Sequence, residues 1–376
     1  MKKTACLTLF LIFLLSGCSA KGAELSRRLV IEAIGIDKKE EGYALTLQTL
    51  DTHSAGTGSD ASAGDNLVKI YVFEGESVGE ALSGITEATG LLPLFSQTRI
   101  IVLGKACAET DIFAALDFFL REYNIRSDIL IAAAQNDAGE IVSTDLGDSV
   151  PDAVILEDSI NYGEENGLCV SMPLYKFINY ALSETDAAFC PVVSLRDAEN
   201  PQKKEPHITG TAFFKNKSLS FILDDKETRG LLFLTDAIKK ASFTIEGNEG
   251  KYTLEAVSSK TKIKTKKTSN GFVFRIDVKL ECDVSEFVCA GFTGLDEKRT
   301  KDAKEAGTRF VKELITNSFS RLYGTEHIDV CRFYRRALLK DPKSADEFRE
   351  KTFDEWFAGA EIGVELTIRR TGKENG

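Results

Sequence analysis

The sequence predicts an α+β, multi-domain protein: mixed β-sheets flanked by helices, with an antiparallel C-terminal sheet plus helices. Three observations carry that prediction. Between residues 69 and 134 short apolar runs alternate with helical periods, the order of a partly parallel sheet covered by helices. After residue 206 the pattern turns to hairpins, the clearest of them pivoting on Asn270-Gly271. Composition is that of a globular chain, 43% hydrophobic and 28% charged over 376 residues.

The chain opens with Lys2 and Lys3, continues with an apolar run over residues 5–15, and then reads Leu15-Ser16-Gly17-Cys18. A positive flank, a short apolar core and small residues at a cleavage point are the parts of an export signal, here residues 1–17. The run is well short of the ~20 apolar residues that cross a bilayer as a helix, so it reads as a signal to be removed. Leu-Ser-Gly-Cys resembles the bacterial lipobox, which implies cleavage before Cys18 and acylation of that cysteine, palmitate being one such chain. Small Ser16 and Gly17 let a membrane-embedded peptidase approach the backbone, and the thiol is the nucleophile that takes the lipid. Each buried methylene contributes ~0.8 kcal/mol, so two or three acyl chains would hold residues 18–28 as a tether on the outer face of a lipid bilayer.

Basic residues number 47 against 58 acidic ones, a formal net charge of −11 that grows more negative when Lys2 and Lys3 leave. An acidic balance argues against nucleic acid as a partner. Of the eight cysteines, Cys6 belongs to the signal and Cys18 to the lipid. The others, Cys107, Cys169, Cys190, Cys282, Cys289 and Cys331, form no short-spaced disulfide framework. Cys282 shares parity with Phe274, Ile276, Val278 and Leu280 on the apolar side of a strand, so buried thiols are expected.

The elements follow in order. Residues 29–37 and 43–50 read as a β-hairpin across a polar turn ending at Gly42. Residues 55–65 are rich in Gly, Ser, Ala and Asp without a period, and read as a loop. A strand at 70–73 precedes a helix that Ser77 and Glu80 would open as a capping box, with Val78, Ala81, Leu82 and Ile85 inward. Strands at 99–103 and 129–134 flank a helix over 111–121; a helix over 172–183 and a strand at 189–195 close this N-terminal α/β region, 29–195. Residues 196–206 are polar, aperiodic and contain two prolines, the composition of a linker. The C-terminal α+β domain, 207–376, holds hairpins at 208–214/219–223 and 252–266/272–282, helices over 300–323 and 330–340, and a last strand alternating Ile362, Val364, Leu366 and Ile368.

Candidate chemistry is sparse. His53, His207 and His327 have neither metal-ligand nor triad spacing, and no nucleophile elbow, phosphate loop, paired C-x-x-C or calcium loop occurs, so no metal, cofactor or catalysis is expected. Asp224-Asp225 reads as a solvated pair in a turn. Lys260, Lys262, Lys264 and Lys266 alternate with Thr261, Ile263 and Thr265, which puts four ammonium groups on one side of a strand. Such a column guards an edge against pairing, or touches anionic lipid or an acidic partner. Gly230 reads as a backbone cap and Arg229 as a brace for a loop carbonyl or carboxylate.

Several segments together resemble the Ger(x)C family, the lipoprotein C subunit of the spore germinant receptors. They are the lipobox ending at Cys18; Ile31-Glu32-Ala33-Ile34-Gly35-Ile36-Asp37; Ser96-Gln97-Thr98-Arg99 and the strand running to Gly104; Leu116-Asp117-Phe118-Phe119-Leu120-Arg121; Gly210-Thr211-Ala212-Phe213-Phe214-Lys215; and Glu227-Thr228-Arg229-Gly230-Leu231-Leu232. Their order and spacing, rather than any one motif, carry the likeness over nearly the whole mature chain. Gly35, Asp37, Arg99, Gly104, Gly210, Arg229 and Gly230 are thereby marked as positions with a structural or partner role. The resemblance implies a non-enzymatic subunit, anchored on the outer surface of the spore inner membrane. It would associate with an A subunit and an integral-membrane B subunit in an assembly that senses nutrients and triggers germination. The alternative is a solute-binding lipoprotein of a transport system, which would predict two similar lobes where this chain has halves of different strand order.

Overall fold

The computed structural model describes residues 27–50, 68–122, 124–145, 151–183, 187–197, 204–289, 294–344 and 353–370. Cys18, the signal, most of the tether and the loop expected over 55–65 lie outside the described residues.

Two mixed sheets organise the chain. The first comprises β1 (Arg28–Lys38), β2 (Tyr43–Leu50), β3 (Val68–Gly75), β4 (Leu92–Leu94), β5 (Ile100–Leu103), β6 (Leu130–Ala134), β7 (Ala188–Asp197), β8 (Lys204–Lys215) and β9 (Ser218–Leu223). Their order is β3-β2-β1-β5-β6-β7-β8-β9, with β4 alongside the start of β1. β1, β5, β6 and β7 run parallel, while β1-β2-β3 and β7-β8-β9 are antiparallel. Parallel neighbours require crossovers, and helices fill them. α1 (Val78–Thr89) precedes β5; α2 (Lys105–Ala108) and α3 (Ile112–Arg121) lead to β6; α4 (Ala138–Val142), α5 (Asp152–Glu165) and α6 (Leu174–Ala181) lead to β7. Helices α1, α3 and α6 bury Leu82, Ile85, Leu116, Phe119 and Phe177 against Ile34, Ile101 and Ile131. On the other face α4 and α5 cover Ala33, Ile100, Val102 and Ala132. Strands covered on both faces read as unbroken apolar runs, and every residue of β5 and β6 is buried.

The start of α1 shows how sequence fixes an end. Ser77 Oγ accepts from the Glu80 N–H at 3.1 Å, and the Glu80 carboxylate accepts from the Glu76 N–H at 2.9 Å, one residue before the position a full capping box uses.

The second sheet has the order β10 (Ala241–Glu246), β11 (Lys251–Thr268), β12 (Gly271–Val288) and β13 (Phe357–Arg370). Its first three strands are antiparallel, as expected of the C-terminal sheet, and the one departure is β13, which runs parallel to β12 and makes this sheet mixed as well. The physical reason lies in the connection. After α7 (Asp225–Leu234) and the β10-β11-β12 meander, the chain crosses over through α8 (Glu297–Phe319), a π turn (Ser320–Thr325), α9 (Phe333–Lys340) and α10 (Phe353–Trp356) before returning. A parallel neighbour needs a long crossover, and these helices supply one. Ala303, Ala306, Val311, Leu314 and Ile315 of α8 pack with Leu254, Phe274, Ile276 and Val278 of the sheet.

Asp302 clamps α8 to the turn between β10 and β11. Its carboxylate accepts from the Asn248 N–H at 3.1 Å, Asn248 Nδ2 at 3.0 Å, the Glu249 N–H at 2.9 Å and the Tyr252 hydroxyl at 3.0 Å. Burial alone would push this carboxyl up, but the donors outweigh burial and hold it below its ordinary value. A lowered folded-state pKa means stability that is present above the unfolded value and lost as pH falls through the folded one. Asp302→Asn is therefore expected to cost about 2 kcal/mol near neutrality, because all four donors lose a charged acceptor and two of them face an NH2 group instead. Urea unfolding should show this gap at pH 7 and a narrowing that begins near pH 4, where the unfolded carboxylate takes up its proton, and is complete only below the lower native value. An unchanged gap across that range would contradict the clamp.

The polar stretch 196–206, expected as a linker, is strand wherever it is described. β7 and β8 stay paired through Leu195↔Pro206, Arg196↔Glu205 and Asp197↔Lys204, and Arg196 forms an ion pair with Glu205 at 2.7 Å. The solvated end of a long hairpin is polar for the same reason a linker is, so composition alone does not separate them. Strands β8 and β9 complete the first sheet, while Phe213, Phe221 and Leu223 enter the core of the second.

Candidate functional site

Three motif positions of the first half meet at one knot. The Asp37 carboxylate at the end of β1 accepts from the Ala138 and Gly139 N–H groups, both at 2.8 Å, and so serves the start of α4, where Asp137 makes no side-chain cap. Gly104 donates its N–H to the Ile36 carbonyl at 2.8 Å, and a Cβ on it would lie 1.9 Å from Asp37 Oδ1. A Cβ on Gly35 would press on the Ala138 backbone at 3.0 Å. The two glycines supply the room in which the carboxylate and helix start fit. Burial pushes the Asp37 carboxyl above its ordinary value, and the two N–H groups counter that only in part.

Arg99, just before β5, joins two other elements. Its guanidinium donates to Glu32 Oε2 of β1 at 2.8 Å and to Glu157 Oε2 of α5 at 2.6 Å. Burial disfavours the cation, yet the two carboxylates prevail and raise its pKa.

The second-half positions form another joint. Gly210 has φ 142 and sits where β7 and β8 shift register; a Cβ there would lie 2.1 Å from the Leu223 carbonyl oxygen. Thr211 and Thr228 share a hydroxyl hydrogen bond of 2.9 Å that ties β8 to α7. Asp224 caps α7 in a full capping box with Glu227, which gives Asp224 a structural task. Arg229 Nη1 donates to the Ser242 carbonyl at 3.5 Å. Gly230 is not a cap: α7 continues to Leu234 and ends at left-handed Asp236, φ 60. The glycine instead lets two helices touch, since its Cβ would lie 2.0 Å from Ser318 Oγ and 2.3 Å from the Leu314 oxygen of α8.

Lys260, Lys262, Lys264 and Lys266 are exposed on β11 beyond the point where β10 stops pairing with it. Their cross-strand partners on β12 include Lys279, Asp277 and Arg275, so the column belongs to a face of mixed charge. Lys260 pairs with Asp236, Lys264 with Asp277 at 3.4 Å, and neighbouring Lys279 with Glu365 at 2.7 Å. Exposed pairs contribute ~0–1 kcal/mol each, so this face is a solvated one before it is anything else.

Among the described residues no three His, Cys, Asp or Glu side chains come together as a metal site. Cys107, Cys169, Cys190, Cys282 and Cys331 are buried; burial pushes Cys107, Cys169, Cys282 and Cys331 up to about 12, far from a reactive thiolate.

What the sequence did not flag is a pair of adjoining clefts along the seam between the two sheets, about 380 and 240 Å³, both touched by Tyr180 and Ala187. Among the described residues, every non-glycine residue of positive φ lines one or the other: Asn216, Lys217, Asp236, His327 and Arg332. Asn216-Lys217 make the two-residue β8-β9 turn, where positive φ at both positions suits the strand twist. No local motif could reveal the clefts, because their walls come from segments some 150 residues apart, as in the hydrogen bond from Arg332 to the Tyr180 hydroxyl.

Comparison with known proteins agrees along the whole chain. A family profile described as "Spore germination protein N-terminal domain" matches residues 21–195, and another, "Spore germination B3/ GerAC like, C-terminal", matches residues 209–372. Spore germination protein KC of Bacillus subtilis (strain 168) is 24% identical over 397 residues, spanning 99% of this chain and 96% of that protein. The crystal structure of the GerBC protein shares the fold, with TM-score 0.57 at 17% identity over 89% of this chain and 96% of that one.

Proposed function

Because this chain belongs to the Ger(x)C family of spore germination proteins, we propose that it is the lipid-anchored subunit of a nutrient receptor and acts through protein–protein association, not catalysis. The observation that carries this reading is the pair of family matches, in order, behind a lipobox at Cys18. Among the described residues no helix is long and apolar enough to cross a membrane, so residence at the spore membrane would rest on the acyl chains and on partners. Those partners are the A and B receptor subunits, and the tether would raise the local concentration of the folded part beside them. The family-motif residues described above hold joints between elements, which suits a rigid scaffold that presents surfaces. A solute-binding lipoprotein gains nothing from the fold, since one sheet of nine strands and one of four are not two similar lobes.

Gentle detergent extraction of spore membranes followed by affinity purification of this chain tests the reading. An integral-membrane partner should co-purify in defined proportion. Recovery of the chain by itself from membranes that contain the other subunits would defeat it.

A further inference from the structure

The larger seam cleft carries two arginines that, among the described residues, form no ion pair with a carboxylate. We infer that it binds a small organic monocarboxylate, with the anion on Arg332 and Arg336 and an apolar body against Phe189, Leu234 and Ile263.

Arg332 precedes α9 at φ 55, a conformation that costs a side chain and favours glycine or asparagine. A long cation stands there nonetheless. Its guanidinium lies 5.4 Å from the centre of the Tyr180 ring and donates one N–H to the Tyr180 hydroxyl at 2.7 Å, which fixes the side chain across the seam. Arg336, one helical turn on, spends its Nε–H on the Cys331 carbonyl at 3.0 Å. A guanidinium has five donors, and among the described residues neither arginine forms an ion pair with a carboxylate. Two held forks with donors to spare suit a planar carboxylate, and less freedom is lost on binding because they are already placed.

The other charges of the cleft are already engaged within the protein. Asp329 accepts from the Tyr323 hydroxyl and from the Phe333 and Tyr334 N–H groups; Asp236 accepts from the Thr261 N–H and Lys260. These two carboxylates face the same space, so a dianion such as phosphate is opposed where a monoanion is tolerated. The rest of the wall is mixed, the apolar Phe189, Leu234 and Ile263 standing beside Thr235 and Thr261, and a volume of about 380 Å³ is that of a small-molecule site. Occupancy of the cleft and assembly of the receptor can fail separately, since calorimetry reads the first and co-purification the second.

The full chain, purified in detergent, is titrated calorimetrically with phenylacetate, acetate, inorganic phosphate and the neutral 2-phenylethanol. Phenylacetate should bind saturably, acetate and phosphate about tenfold more weakly or worse, and 2-phenylethanol not at all. Arg332→Gln and Arg336→Gln should each weaken phenylacetate about tenfold with the unfolding temperature unchanged. Should either variant misfold, butanedione modification of the unaltered chain keeps the test: all three arginines are exposed in the free chain, and phenylacetate should protect Arg332 and Arg336 and leave Arg335, which does not line the cleft, reactive. No saturable phenylacetate heat, equal binding of the neutral alcohol or of phosphate, or protection that includes Arg335 would overturn the assignment.

Discussion

Gly230→Val is expected to destabilise the protein by about 4 kcal/mol, at the upper end of what overpacking costs. The sign is informative, because replacing a glycine inside an exposed helix normally stabilises it by up to ~1 kcal/mol. Here the first added carbon already lies 2.0 Å from Ser318 Oγ and 2.3 Å from the Leu314 oxygen. Ser318 cannot simply turn away, since its hydroxyl is buried and donates to the Glu227 carbonyl at 2.6 Å and contacts the Leu314 carbonyl at 3.0 Å. The Leu314 oxygen is backbone, and moving it means moving α8, which carries Val311, Leu314 and Ile315 into the core of the second sheet. Parting α7 from α8 would also strain the Thr211–Thr228 bond that joins the first sheet to α7. The expected result is a lower urea midpoint for Gly230→Val, a smaller drop for Gly230→Ala, and only partial recovery in Gly230→Ala/Ser318→Gly, because the Leu314 oxygen stays 2.3 Å from the added carbon. A wild-type midpoint in Gly230→Ala would show that the helices do not approach so closely.

Much of the fold was legible because its causes are local. Apolar runs over 100–103 and 130–134 announced covered parallel strands, and Asn270-Gly271 marked the turn between β11 and β12, whose ladder closes at Thr268↔Gly271. What was not legible depends on partners distant in sequence. The alternation of Ile362, Val364, Leu366 and Ile368 announces a strand, but period two carries no direction; only the helices expected between residues 300 and 340 allowed a crossover, and they did not say which strand β13 would join. Residues 196–197 and 204–206 look like a linker because the end of a hairpin meets water on both sides. Gly230 offered a signal that could have been taken: a glycine followed by Leu231, Leu232, Phe233 and Leu234, an apolar run that carries on past it, suits close helix contact better than a cap.

The same distinction applies to function. Asp37, Gly104 and Gly35 are separated by up to some 70 residues and become one knot only when α4 is laid across the ends of β1 and β5. Their chemistry, a carboxylate on backbone N–H groups with two glycines making room, is that of a structural joint. Arg332 and Arg336 carried no motif at all, and only Tyr180, from the other side of the seam, gives the first of them a fixed place.

The second large effect is expected at Cys18. Cys18→Ala should remove the chain from the membrane fraction of spores and abolish the nutrient response with it. A diacylglyceryl cysteine with a third, amide-linked chain buries several tens of methylenes at ~0.8 kcal/mol each, whereas a single chain gives only reversible binding. A tether over residues 18–28 can extend only ~35 Å, so the folded part stays beside its membrane partners at an effective concentration in the millimolar range. Freed from the surface, the same interface must act at its bulk concentration, and avidity falls by about 10²–10⁴-fold. Membrane fractionation and nutrient-triggered germination should therefore fail together in Cys18→Ala. Fusing that variant to an unrelated membrane-spanning helix should restore both, because on this account the lipid supplies position and nothing else. Rescue of retention without germination would assign the lipid a direct role in the receptor. Normal germination by the released, unlipidated chain would show that its partners hold it tightly enough without the anchor.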